Sequence, residues 1–92
     1  MTFEERVKAL DRLIQEFLHK TNQNGMVKPK DVMPYLIEKG VYRSDNRNGN
    51  PLRSDLRILK TMNRLGDIKG LVAVTKKKNT YWYFKKNMIM NK

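Results

Sequence analysis

The sequence predicts a mainly α, α+β domain in which three helices precede a small antiparallel sheet, and three observations carry that expectation. Apolar residues recur with a 3.6-residue period from Phe3 to Leu18. A second periodic segment, Pro51 to Leu65, has Leu52, Leu56, Leu59 and Met62 on one side and Arg53, Arg57, Lys60 and Arg64 on another. The period then changes to two: Leu71 to Thr75 and Tyr81 to Lys85 alternate around Lys76, Lys77 and Lys78, as the arms of a hairpin do.

Each element has its own local signals. Thr2-Phe3-Glu4-Glu5 fits a capping box, with Thr2 as N-cap and Glu5 three positions on, and opens the first helix. Its stripe of Phe3, Val7, Leu10, Leu13, Ile14, Phe17 and Leu18 makes it a core former to about Lys20, while Glu4, Arg6, Lys8, Asp11, Arg12 and Glu16 mix both signs and are expected as solvated surface. Thr21 to Gly25 is a polar break. Met26-Val27-Lys28 has room for only a brief extended segment, one that can pair with the later hairpin. The second helix is expected from Asp31 as its cap, with Pro34 in the first turn, where a missing N–H does no harm; it carries Val32, Tyr35, Leu36 and Ile37 and stops at Gly40.

Val41 to Asn50 is a polar connection with a turn at Asn48-Gly49, after which Asn50 caps the third helix and Pro51 is its first residue. Gly66 is expected to end that helix. In the hairpin, alternation puts Tyr81 and Tyr83 on one face and Trp82 and Phe84 on the other, the latter toward the core. Lys86 to Lys92 is expected as a frayed tail, with Met88, Ile89 and Met90 available to dock on the body.

Composition bounds the answer. A chain of 92 residues, 39% hydrophobic and 32% charged, is expected to form one globular domain over residues 1–92 with one modest core. With no cysteine, neither a disulfide framework nor a thiolate metal site can supplement that core. The N-terminus carries Glu4 and Glu5 where a secretory signal carries cations, and no apolar run reaches membrane-spanning length, so a cytoplasmic protein is expected, nucleoid-associated in a bacterial cell.

The net charge of +11 is unevenly placed. Residues 1–45 hold eight Lys/Arg against seven Asp/Glu, a net of +1, whereas residues 46–92 hold twelve against two, a net of +10. A one-sided field attracts and orients a polyanion. At about 100° per residue, Arg53, Arg57, Lys60 and Arg64 fall in a stripe roughly 60° wide, spaced to neutralise neighbouring backbone phosphates. Its plain alternative is a solvated face, but Asp55, the one acid of the segment, lies toward the apolar side by angle, which leaves the stripe without i,i+4 counterions.

The order helix, short strand, helix, helix, hairpin resembles the winged-helix (winged helix-turn-helix) family of nucleic-acid-binding domains over nearly the whole chain. The resemblance implies a winged-helix-like domain whose third helix, Pro51 to Leu65, enters the major groove of duplex DNA and whose wing tip, Lys76 to Asn79, touches the backbone or minor groove. The chain departs from the family's short turn by the ten-residue connection Val41 to Asn50. Arg53, Arg57, Lys60, Arg64, Lys76, Lys77 and Lys78 are the expected contacts, Ser54 and Asn63 flank the stripe, and Arg43 and Arg47 are phosphate clamps in the preceding loop. Transcription regulation and DNA handling by a mobile element both fit.

Two other readings have sequence support. Tyr81 and Tyr83 offer a stacking surface for RNA or single strands, weighed against a packing role for the aromatics. The winged-helix body can also dock an acidic protein partner or a second copy of itself through Met88, Ile89 and Met90, although nothing in the sequence indicates a homodimer. An enzyme is not expected: His19 is the sole histidine, Glu4-Glu5 belongs to a cap, and Gly66 and Gly70 read as a helix stop and a turn rather than a phosphate loop, so no cofactor or metal is expected.

Overall fold

Thr2 begins the first helix as its sequence requires. In the computed structural model, which describes residues 2–21, 25–44 and 49–86, the Glu5 N–H donates to Thr2 Oγ1 and the Thr2 N–H to Glu5 Oε1, and the helix α1 runs Phe3–Lys20. Val7, Leu10, Leu13, Ile14 and Leu18 are buried, and Phe3 and Phe17 pack at the margin of the core. Two more helices, α2 (Pro29–Glu38) and α3 (Asn50–Thr61), pack with it around that core. A 3-10 turn, Leu65–Asp67, then leads into the hairpin of β1 (Leu71–Lys76) and β2 (Asn79–Phe84). This is the expected mainly α, α+β architecture with a winged-helix-like layout.

The short extended segment pairs with the hairpin as expected. Val27 and Phe84 exchange both backbone bonds, at 2.9 and 2.8 Å, in an isolated antiparallel bridge. Chain alternation in β2 then puts Trp82 and Phe84, 4% and 0% exposed, into the core, while Tyr81 is 44% exposed.

The strands reach one and two residues further into the hairpin tip than expected, and three helix boundaries differ. Helix α2 begins at Pro29, not Asp31: Pro29 takes the first helical position, and Asp31, two residues on, accepts from the Lys28 N–H at 3.1 Å instead of capping with its own backbone. Pro34 is therefore interior, where it leaves the Lys30 carbonyl without its helical donor. Gly49, not Asn50, is the N-cap of α3. Its φ of +97° suits glycine, and a Cβ there would stand 2.8 Å from the Lys30 nitrogen, so the residue also lets the start of α3 abut the start of α2.

The third difference lies at the end of α3. The helix stops at Thr61, because Asn63 adopts φ +59° and the chain closes a Schellman motif, Asn63 N–H to Lys60 O at 3.0 Å and Arg64 N–H to Leu59 O at 2.8 Å. Asn63 thus caps the helix rather than flanking a stripe, and Met62, expected in the apolar face, is 44% exposed. Helix α2 ends in the same motif at Gly40, where the sequence placed it.

The outer face of α1 is not plain solvated surface. Arg6 donates from Nε and Nη2 to the two oxygens of Asp55 at 2.7 and 3.0 Å, and Tyr42 Oη donates to Asp55 Oδ2 at 2.6 Å. Those bonds hold the Arg6 guanidinium above its usual range; burial first, then the Asp55 bond, raises the Tyr42 phenol. Asp11 accepts from the backbone N–H of Lys69 at 2.8 Å and from its Nζ at 3.1 Å. Tyr35 donates to Glu16, which pushes the phenol up to about 12.

Gln15, 1% exposed, fixes the base of the hairpin: its Nε2 donates to the carbonyls of Lys69 and Lys85, each at 3.0 Å. Gly70 passes through this junction with φ +79°, and a Cβ there would lie 2.1 Å from the Lys85 oxygen.

Two stability measurements check this account. Gly70→Ala is expected to lower the urea-unfolding free energy by more than about 2 kcal/mol, since backbone strain and a backbone clash act together. Asp55→Ala is expected to cost roughly 3 kcal/mol by leaving Arg6 without its carboxylate, and a double-mutant cycle of Arg6→Ala with Asp55→Ala is expected to show strong coupling between the two.

Candidate nucleic-acid interface

On the outward face of α3, Arg57 and Lys60 are exposed and Arg53 and Ser54 are half-buried. Arg57 Nη2 donates to Ser54 Oγ at 3.4 Å, one turn back. Lys60 Nζ donates to Thr80 Oγ1 at 2.9 Å, which ties the helix to β2. Thr80 lines two open clefts. One, of about 530 Å³, is lined by Arg57, Lys60, Thr61, Lys78, Asn79, Thr80 and Trp82. The other, of about 560 Å³, lies between Lys28, Pro29, Lys30 and Arg53 on one side and residues 79–83 on the other. Among the described residues, neither has an acid in its lining.

The hairpin tip is built on two residues, Lys77 and Lys78, between the closing pair Lys76 and Asn79. Lys77 takes φ +55° without being glycine. All three lysines are exposed, but only Lys78 joins a cleft with the α3 cations; Lys76 and Lys77 line neither.

Arg64 departs from the expected site. The Schellman motif at Asn63 takes it off the helical stripe, and its guanidinium reaches Glu4 through Nη1 and Nη2, each at 2.7 Å, and Asp67 through Nη2 at 2.6 Å. These partners, Glu4 foremost, raise the Arg64 pKa, and Arg64 in turn holds the Glu4 carboxyl below its ordinary value. Arg64 is thus part of the α1 face and not of the α3 stripe. Arg43 is exposed in the connection and lines neither cleft, and Arg47 lies outside the described residues, as do Met88, Ile89 and Met90.

Charge is therefore partitioned. Among the described residues, Arg64 and Lys69 meet the acids of α1, whereas Arg57 and Lys60 meet only hydroxyls. Lys28, Lys30 and Thr80 join the basic surface without having been expected there, and Asn79, the last residue of the expected wing tip, lines both clefts. A signal existed for the first two: Lys28-Pro29-Lys30 places two cations around a proline suited to start a helix. Their proximity to Arg53 needs the Gly49 approach of two helix starts, which no local pattern announces.

Among the described residues no three His, Cys, Asp or Glu side chains gather as a metal site requires. His19 is in the last turn of α1, with Nε2 buried and without a hydrogen-bond partner there. No helix of the described residues is long and apolar enough to cross a membrane.

The Glu4–Arg64 pair gives a pH test. Because the folded-state pKa of Glu4 is depressed, its contribution to stability is present above the ordinary value of 4.5 and is lost as pH falls through the folded value. Glu4→Gln is expected to flatten the fall of Tm as pH drops below the ordinary value of 4.5, as read by calorimetry at a series of acidic pH values. No protein-family model, curated protein or solved structure matches the chain.

Proposed function

We propose that this domain belongs with winged-helix nucleic-acid-binding domains in function, binding duplex DNA with α3 toward the major groove and the hairpin tip against the flanking backbone. The observation that carries the reading is the cleft that brings Arg57 and Lys60 of α3 together with Lys78 of the hairpin, without an acid among the described residues that line it. A groove about 12 Å wide admits a helix, and cations three and four residues apart on it meet successive phosphates. Arg57 has the donor fork to hold a guanine edge, but Arg53 and Arg57 on phosphate are the commoner arrangement, since backbone contacts outnumber base contacts. Lys76 and Lys77 add charge at the tip without directional selectivity. Regulation of transcription and DNA handling by a mobile element are the roles such binding fits.

Single-stranded nucleic acid is the second reading, favoured by the 44% exposure of Tyr81 beside the cleft that holds Lys28, Lys30 and Arg53. Fluorescence anisotropy with random-sequence duplex DNA, single-stranded DNA and duplex RNA, each at several salt concentrations, separates the two. Duplex DNA is expected to bind best, and Arg57→Ala is expected to reduce the log–log salt slope by about one. Arg64→Ala is expected to leave that slope unchanged, because its guanidinium is engaged with Glu4 and Asp67. A Tyr81→Ala loss confined to single strands would favour the second reading, and absence of binding to all three at low salt would end both.

A further inference from the structure

We propose that the free edge of β2 is a strand-addition site for an extended acidic peptide. The proposal does not depend on duplex binding. It starts from the pairing parity of the sheet.

Phe84 exchanges both of its backbone bonds with Val27, so its opposite number in β1, Leu71, is a non-hydrogen-bonded partner. Alternation along the ladder makes Val72–Tyr83, Val74–Tyr81 and Lys76–Asn79 the bonded pairs, in agreement with the Lys85 N–H to Gly70 O bond of 2.9 Å at the hairpin base. Trp82 and Thr80 are then aimed, like Phe84, away from β1. Val27 occupies the lane beside Phe84, but the chain leaves that lane at Pro29 to begin α2. Beyond it, the N–H and C=O of Trp82 and Thr80 look into the 560 Å³ cleft, and no described residue bonds them.

The chemistry of this edge selects the occupant. It presents donors and acceptors in alternation, repeating every two residues, or about 6.8 Å. A phosphate or carboxylate supplies acceptors only and leaves both carbonyls unmet. An extended peptide supplies both groups at the matching repeat. The opposite wall carries Lys28 and Lys30 beside Arg53, with no acid among the described residues, so the peptide that fits carries carboxylates on the side that meets α2. About four residues of it would continue the antiparallel pairing that Val27 begins.

The probe is a fluorescein-labelled peptide of three Glu-Val repeats, compared with one of three Glu-Pro repeats, which has the same charge but lacks half of the N–H donors. The Glu-Val peptide is expected to bind at least tenfold more tightly, and Lys28→Glu with Lys30→Glu, both at exposed positions, is expected to weaken it at least tenfold. Amide hydrogen exchange of the wild-type domain gives an independent readout: saturating Glu-Val peptide is expected to slow Thr80 and Trp82 at least tenfold, and Tyr81 and Tyr83, already paired to β1, much less. Equal affinity for the two peptides would reduce the effect to charge alone and overturn the proposal. So would unchanged exchange at Thr80 and Trp82, or protection of both amides by a random-sequence DNA duplex and not by the peptide, which would assign the edge to nucleic acid.

Discussion

The Asp55 carboxylate, 5% exposed, is the point on which the arrangement of the helices depends. It stands on α3, takes two hydrogen bonds from Arg6 of α1, and takes a third from Tyr42 in the connection that follows α2. A buried charge is tolerable only with such partners, and here they come from two parts of the chain, both distant from α3 in sequence. Leu52, Leu56 and Leu59 on the same helix turn its apolar stripe toward the core, and the directional bonds to Asp55 add a specific constraint on that same orientation, which leaves Arg57 and Lys60 facing outward.

The hairpin depends on a second junction of the same kind. Gln15 reaches from α1 to two carbonyls at the hairpin base, and Gly70 leaves room for it. Phe84 and Trp82 fasten one face of the sheet to the core, and Val27 closes its edge at one position. The clefts beside β2 are what remains between a hairpin held at its base and two helix starts brought together at Gly49.

Much of the fold was legible in the sequence because its signals are local. The capping box at Thr2 and Glu5, the seven-residue stripe of α1, the Gly40 stop and the division of Tyr81 and Tyr83 from Trp82 and Phe84 each depend on residues close together in the chain. The end of α3 was misplaced because Gly66 is the more familiar stop, while Asn63, the next best residue for a left-handed backbone, completes the motif three residues earlier. The site was less legible for a different reason. Arg6 and Asp55 are 49 residues apart, Asp11 and Lys69 are 58 apart, and Glu4 and Arg64 are 60 apart, so nothing local distinguishes a paired cation from an outward one. Angular position put Arg64 in the stripe, whereas its long-range partners put it on α1.

The pairing of Arg64 and Lys69 with α1 acids has an effect on motion as well as on structure. With those cations neutralised, and Arg57, Lys60 and the tip lysines left without acid partners among the described residues, positive charge is spread unevenly over a body of 36 × 28 × 23 Å. Near any polyanionic surface such a body experiences a torque before it makes contact, so collisions from many starting orientations are turned to the same approach. The torque acts only within the screening length, about 8 Å at physiological ionic strength and roughly 30 Å at 0.01 M. In dilute salt the whole molecule lies inside the field that turns it; in the cell only its leading face does, and the reorientation is confined to the last few ångströms of the encounter.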